Sequence, residues 1–303
     1  GGEGVALGIG DDCALLAVPP GEQLAISTDT LVAGVHFADP CDPFLLGQRS
    51  LAVAVSDLAA MGATPIAFTL ALTLPTVTAD WLDAYARGLN LMAQSCGVAL
   101  VGGDTTRGPL SLTMTVFGRV PSGLALTRSG AKPGDLLCVG GELGNAAGAL
   151  PLVLGQRTAE PAIADPLLAH YWSPQPQLGL GMALRGKATS ALDISDGLLA
   201  DCGHIALASK VGIQVERDRL PLSKALVALL GQSGAENAAL SGGDDYVLAF
   251  TLPSVELPQM MADGWPIHVV GRVVAGQGVV LLDADGQDIT PQTRGYQHFR
   301  ETP

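Results

Sequence analysis

LAISTDTLVAGVHF, residues 24–37, runs from an apolar stretch into two hydroxyls and a carboxylate. Residues 24–28 read as a short buried strand that ends by presenting Asp29. Ser27, Thr28 and Asp29 then offer only oxygen atoms, the donor type that hard divalent cations take. The alternative reading of Ser27 or Thr30 is a turn or helix cap. Downstream, PFLLGQRSLAVAVSDLAAM (43–61) is Ala-rich and lacks an internal proline, which predicts a long buried helix. Asp57 falls near the C-terminal end of that helix, where the macrodipole disfavours an anion. It therefore needs a cation or a hydrogen-bond donor.

Strand and helix patterns alternate outward from this stretch. Trp81, Leu82, Tyr85, Leu89, Met92 and Ala93 recur at helical spacing over 79–96. Residues 98–103 read as a strand delivering Gly102, Gly103 and Asp104. In 110–117, Leu110, Leu112, Met114 and Val116 alternate with Ser111, Thr113 and Thr115, the pattern of a half-buried strand with one hydroxyl-bearing face. PSGLALTRSGAKPGD (121–135) interrupts the alternation and marks a domain junction. Two domains are expected, 1–121 and 122–303. The second half predicts a strand at 136–139, helices around 144–154, 176–186 and 197–209, and strands at 211–215, 246–251 and 267–274. YWSPQPQ (171–177) reads as an ordered loop. Mixed elements in both halves give an α/β (α+β) chain of two lobes.

Six acidic motifs are set among glycine, serine and threonine: GIGDD (8–12), STDT (27–30), SD (56–57), GGDTTRG (102–108), DISDG (193–197) and SGGDDY (241–246). They carry Asp11, Asp12, Asp29, Asp57, Asp104, Asp193, Asp196, Asp244 and Asp245. A carboxylate is costly to bury without a counter-charge, and a shared divalent cation supplies one. Glycines beside such carboxylates let backbone amides approach phosphate closely. Singly, each motif is a common turn; together they read as parts of one metal and phosphate site. In DISDG, Asp196 is also placed to cap the following helix, whose N-terminus is itself a phosphate site. Arg128 stands on the junction loop, where a guanidinium can neutralise phosphate or simply be solvated. His36 reads equally as a ligand and as a structural histidine.

Absent motifs narrow the chemistry. No GxxxxGK[ST], HRD, DFG, GxSxG or GxGxxG occurs, which argues against Walker-type NTPases, protein kinases, hydrolase elbows and dinucleotide fingerprints. Metal-assisted phosphoryl transfer fits what remains, because it needs positioning and charge neutralisation but no protein nucleophile. The formal net charge of −13 argues against nucleic acid and anionic membranes as partners. With 48% hydrophobic residues but only 4% aromatic, the core is expected to be built from Ala, Leu and Val. No long apolar span is present. Five scattered cysteines without a CxxC pair predict neither zinc nor disulfides. They read as buried small hydrophobes in a reducing, cytoplasmic setting.

GIGDDCALL, ISTDTLVAGVHF, SDLAAMGA, GGDTTRGPLSLT, LTRSGAKPGD, DISDGL, SGGDDY and GYQHF, in this order, resemble the thiamine-monophosphate kinase family. That family belongs to the superfamily that includes aminoimidazole ribonucleotide synthetase and selenophosphate synthetase. The resemblance implies a two-lobed fold, a homodimer whose N-terminal strands form a shared barrel, and transfer of the ATP γ-phosphoryl to thiamine phosphate. It implies Mg²⁺ at Asp12, Ser27, Thr28, Asp29, Asp57, Asp104, Asp193 and Asp196, with K⁺ as a further candidate ion. ATP contacts fall to Gly103, Asp104, Arg128 and Ser195, and thiamine phosphate contacts to His36, Asp244 and Tyr296. Three departures stand out: Asp244 replaces the family's usual Glu, Gln occupies a 174–177 position where Arg is expected, and the usual N-terminal helix is absent, as in a truncated or processed chain. The alternatives are another ATP-using member of the superfamily, or a non-enzymatic protein that binds divalent cations.

Overall fold

Asp42 starts the central helix of the N-terminal half by accepting a hydrogen bond from the Phe44 amide at 2.8 Å, with Pro43 in the first turn. The helix, α1 (Pro43–Ala60), is buried on nearly every side. A helix without a polar face must be packed all round. On one side it crosses α2 (Ala79–Cys96). A β-carbon on Gly88 would stand 1.9 Å from the Phe44 carbonyl oxygen, and one on Gly47 2.3 Å from that of Tyr85, so the crossing requires glycine on both helices. Ser50 and the Tyr85 hydroxyl, 3.0 Å apart, close the same interface.

The computed structural model describes residues 3–291 and divides the chain into two units. Among the described residues the first comprises 3–125 and 172–182, the second 126–171 and 183–291. The first unit is built on a mixed sheet of order β3-β6-β4-β5, where β3 is Glu22–Val32, β4 Thr64–Leu74, β5 Ala99–Arg107 and β6 Ser111–Pro121. β6 is antiparallel to both neighbours, and β4 and β5 are parallel. This sheet is open in the single chain. Alternation on β6 is complete: Leu112, Met114, Val116 and Val120 are buried, while Ser111, Thr113 and Thr115 face the other way. On that other face, a short arm of β1 (Val5–Leu7) and β2 (Leu15–Leu16) packs Val5, Ala14 and Leu16 against Ile66, Ala67 and Val101.

β3 is longer than the expected 24–28 and is not buried on both faces. Leu24 and Ile26 are 43% and 59% exposed, while Leu31 on the opposite face is buried. The helices expected at 43–61 and 79–96 form, as do the strands at 98–103 and 110–117.

The second unit carries a six-stranded sheet of order β12-β9-β11-β7-β10-β8. Its strands are β7 (Leu136–Val139), β8 (Ser190–Asp193), β9 (Gly212–Glu216), β10 (Leu248–Leu252), β11 (His268–Val274) and β12 (Gly278–Leu282). All pairings are antiparallel except β12 with β9. Helices α3 (Asn145–Val153), α4 (Pro161–Trp172), α5 (Leu178–Leu184), α6 (Leu198–Ser209), α7 (Lys224–Ser241) and α8 (Leu257–Ala262) lie between them in sequence. Leu137, Val139, Leu192, Ile194, Leu199, Cys202 and Ile205 belong to one aliphatic core that joins the sheet to α6. α4 begins well before the expected 171–177 loop and ends inside it. Among the described residues no helix is long and apolar enough to cross a membrane.

The cysteines depart from expectation in part. Cys96, Cys138 and Cys202 are buried, but Cys13 is exposed and Cys41 half-buried, because the GIGDD segment and the Asp39–Asp42 turn lie at the surface. All five are free thiols.

Candidate functional site

β3 and the last turn of α1 build the centre of the first unit's site. Alternation along β3 turns Ser27 and Asp29 toward the helix and Thr28 and Thr30 to the open face. The Ser27 hydroxyl donates to Oδ2 of Asp57, which supplies the donor that an anion at a helix C-terminus needs. Burial, with the Asp57 charge beside it, pushes the Asp29 carboxyl up to about 6. Two carboxylates and a hydroxyl thus converge where burial and like charge both favour protonation. Thr28 and Thr30 bond instead to Thr115 and Thr113 across the sheet, at 3.0 and 2.9 Å. Neither Ser27 nor Thr30 serves as a turn or helix cap. Any part Thr28 takes at the Ser27 side of the strand falls to its main chain.

The other first-unit positions are close to the surface. Asp12 is exposed, and its amide donates to the Asp11 carboxylate at 3.0 Å. Asp104 is exposed on β5, level with Ala71 of β4 in the register. Gly103 before it has φ +149°, and a β-carbon there would stand 1.9 Å from the Leu70 carbonyl oxygen. Glycine is therefore what lets β5 approach β4 at Asp104. His36 is half-buried, and its Nδ1 accepts from the Val32 amide at 3.0 Å. The neutral ring consequently carries its proton on Nε2. Buried Arg49 donates to the His36 carbonyl oxygen at 3.4 Å.

In the second unit, DISDG follows β8 and SGGDDY precedes β10, and the two loops are bonded to each other. The amides of Asp244 and Tyr246 donate to the carbonyls of Ser195 and Ile194, at 2.9 and 2.8 Å. Both Asp244 and Tyr246 have positive φ, 62° and 50°, and the Tyr246 hydroxyl donates to the Asp244 carboxylate at 3.0 Å. Asp193 is buried, Asp196 half-buried and Ser195 exposed. Arg128 is exposed on a loop whose backbone is held by Ser209: the Ser209 hydroxyl donates to the Arg128 carbonyl and accepts from the amides of Gly130 and Ala131, each at 3.1 Å.

Two second-unit carboxylates have roles that the motif reading did not assign. Asp245 is buried and accepts the Gly144 amide with both oxygens, at 2.8 and 3.0 Å, at the start of α3. It anchors that helix at its N-cap residue. Asp201 lay outside every motif, yet its Oδ2 accepts the amides of Ser195, Asp196 and Gly197 at 3.0, 3.0 and 3.1 Å. α6 is entered through Gly197 without a side-chain cap, so Asp196 does not cap it; Asp201 instead holds the turn before the helix. An acid within the first turn of a predicted helix was the available signal. His204 and Asp196 each bring a ligand atom within 4.8 Å of Asp201. Tyr296 and the GYQHF segment lie outside the described residues.

Comparison with known proteins is consistent along the chain. Residues 10–120 match the AIR synthase related protein N-terminal domain, and residues 132–283 match the corresponding C-terminal domain. Thiamine-monophosphate kinase of Escherichia coli K12 is 46% identical over 302 residues, covering 97% of this chain and 92% of its own. The crystal structure of thiamine-monophosphate kinase from Stenotrophomonas maltophilia K279a superposes with a TM-score of 0.87 at 44% identity, covering 94% and 92% of the two chains. AaThiL complexed with AMPPCP and TMP superposes with a TM-score of 0.84 at 28% identity, covering 93% and 89%.

Proposed function

The chain belongs to the thiamine-monophosphate kinase family of AIR synthase related proteins and is a kinase that phosphorylates thiamine phosphate with ATP, and we propose how its own residues divide that work. The observation that carries the assignment of roles is the convergence of Ser27, Asp29 and Asp57. A donor set made only of oxygen, in which burial and a neighbouring carboxylate both raise an acid's pKa, suits Mg²⁺. When bound, Mg²⁺ neutralises phosphate charge and draws together anions that otherwise repel.

In the first unit, Asp12, Ser27, Thr28, Asp29, Asp57 and Asp104 serve as Mg²⁺ ligands, Thr28 through its main-chain oxygen. Gly103 and Asp104 contact ATP, and Gly103 adds the close backbone approach that only glycine permits. His36 donates from Nε2 to the phosphate of thiamine phosphate, since its Nδ1 is already committed to Val32. In the second unit, Asp193 and Asp196 hold Mg²⁺, while Arg128 and Ser195 contact ATP. Asp244, held by the Tyr246 hydroxyl, orients the cationic heterocycle of the acceptor, and Tyr296 stacks on it. No side chain acts as nucleophile. A phosphate oxygen of the acceptor attacks the γ-phosphorus in line and ADP leaves, giving thiamine diphosphate.

K⁺ is a further ion for the phosphate site. The active form is a homodimer, favoured by the apolar residues Leu24 and Ile26 exposed on the open sheet of the first unit. A cytoplasmic location accords with five free thiols. The decisive assay incubates the full chain with ATP, Mg²⁺ and thiamine phosphate. Equal amounts of ADP and thiamine diphosphate are expected. ADP release that depends on a different acceptor would overturn the substrate assignment.

A further inference from the structure

The amides of Ser195, Asp196 and Gly197, in the turn that leads into α6, all point at one anion. Here the anion is supplied from within. Asp201, in the first turn, collects the amides of Ser195, Asp196 and Gly197 on a single buried oxygen. These donors are therefore already occupied by the protein's own carboxylate. The turn is gripped by its carbonyls as well: those of Ser195 and Ile194 accept from Asp244 and Tyr246. A β-carbon on Gly243 would stand 2.4 Å from the Ser195 carbonyl oxygen, so the two loops touch backbone to backbone. With both polar edges of the turn engaged, the Ser195 side chain is left exposed at its apex.

We propose that Asp201 is a positioning residue for the kinase reaction: it fixes the DISDG turn so that Ser195 and Asp196 are presented in one geometry relative to Asp244. The proposal rests on the roles given to Ser195 and Asp196 above. It predicts that the contribution of this turn to binding comes from side chains and not from the amides of Ser195, Asp196 and Gly197. In this role Asp201 acts through the turn and not as a ligand. Partners that orient ligands in this way are worth about ten- to hundredfold in cation affinity.

The test compares wild type, Asp201→Ala and Asp201→Asn in the full chain. Amide hydrogen exchange is read at Ser195, Asp196 and Gly197, and binding of the ATP analogue AMPPCP with Mg²⁺ is read by calorimetry. In Asp201→Ala the three amides should lose protection, and analogue binding should weaken by about ten- to hundredfold. Asp201→Asn retains an acceptor oxygen on the same side chain and should recover part of both. It also keeps the test open if the alanine variant folds poorly. Unchanged exchange at these amides, or analogue binding by folded variant equal to wild type, would overturn the positioning role. Failure of the wild type to make thiamine diphosphate while its amides stay protected would instead overturn the functional reading on which the proposal stands.

Discussion

The Ser27 hydroxyl on β3 hydrogen-bonds the Asp57 carboxylate on α1, joining a strand to the last turn of a helix 30 positions later. Burial first, and then this same carboxylate, raises the pKa of Asp29, two residues along the strand from Ser27. Asp57 thus joins an attractive contact to a repulsive one, and a divalent cation converts the repulsive one into shared coordination. Asp57→Asn keeps the shape and removes the charge. Its turnover should fall by more than the roughly hundredfold upper range for a supporting partner, with an unchanged circular dichroism spectrum. Ser27→Ala should lose about ten- to hundredfold. Wild-type rates at limiting Mg²⁺ in Asp57→Asn would remove this residue from the cation site.

The crossing of α1 and α2 has no room at Gly88, where an added β-carbon meets the Phe44 carbonyl oxygen. Gly88→Ala should therefore cost about 1–3 kcal/mol, the usual range for overpacking. Gly203, inside α6, has open space around its missing side chain. Gly203→Ala should stabilise by about 0.5–1 kcal/mol through the lost freedom of the unfolded chain. Urea denaturation of the two variants should move the midpoint in opposite directions, and equal shifts would contradict the packing account.

Asp245 sets a pH dependence of stability. Burial, followed by the charges of Asp244 and Asp201, raises its pKa well above 3.8, against the lowering effect of the Gly144 amide. The folded state then holds a proton that the unfolded state releases, so stability falls as pH rises from the ordinary carboxyl range toward the raised value. Asp245→Asn cannot titrate, and its side-chain oxygen still accepts from Gly144. Its unfolding free energy should decline less than that of wild type across this window. Parallel curves for the two proteins would show that Asp245 does not carry the slope.

At Gly103, a methyl group conflicts both with φ +149° and with the Leu70 carbonyl oxygen. β5 is an edge strand, so it can yield locally by moving away from β4. Gly103→Ala should accordingly displace Asp104 and reduce kcat/KM for ATP while shifting the thermal midpoint little. A large loss of stability with intact kcat/KM would reverse this assignment.

Legibility of the sequence followed the locality of the physics. α2 and the alternating strand over Ser111–Pro121 could be read because their periodicity lies within one element. β4 escaped notice because Ile66, Ala67 and Phe68 are all buried, the β1–β2 arm covering what would otherwise be an open face. α4 and α7 were masked by their own breakers, an internal Pro166 and a kink at Gly231. Among the acids, composition could group Asp29, Asp57 and Asp245 but could not separate them. Their difference lies in partners supplied by tertiary contact: Ser27 for one, Gly144 for another. Asp201 was the reverse case, a local interaction hidden because no motif drew attention to it.

β3 carries two unrelated assignments in alternate positions, Ser27 and Asp29 toward the helix and Thr28 and Thr30 toward the threonines of β6. A strand used this way behaves as a reading frame. Deleting one residue within 22–32 would exchange the two sets, giving the helix threonines and the open face an aspartate. Substitutions at single positions can be graded in effect, but a shift of the frame has no mild form. Length variation in the first unit should therefore collect in the connections and leave this strand untouched.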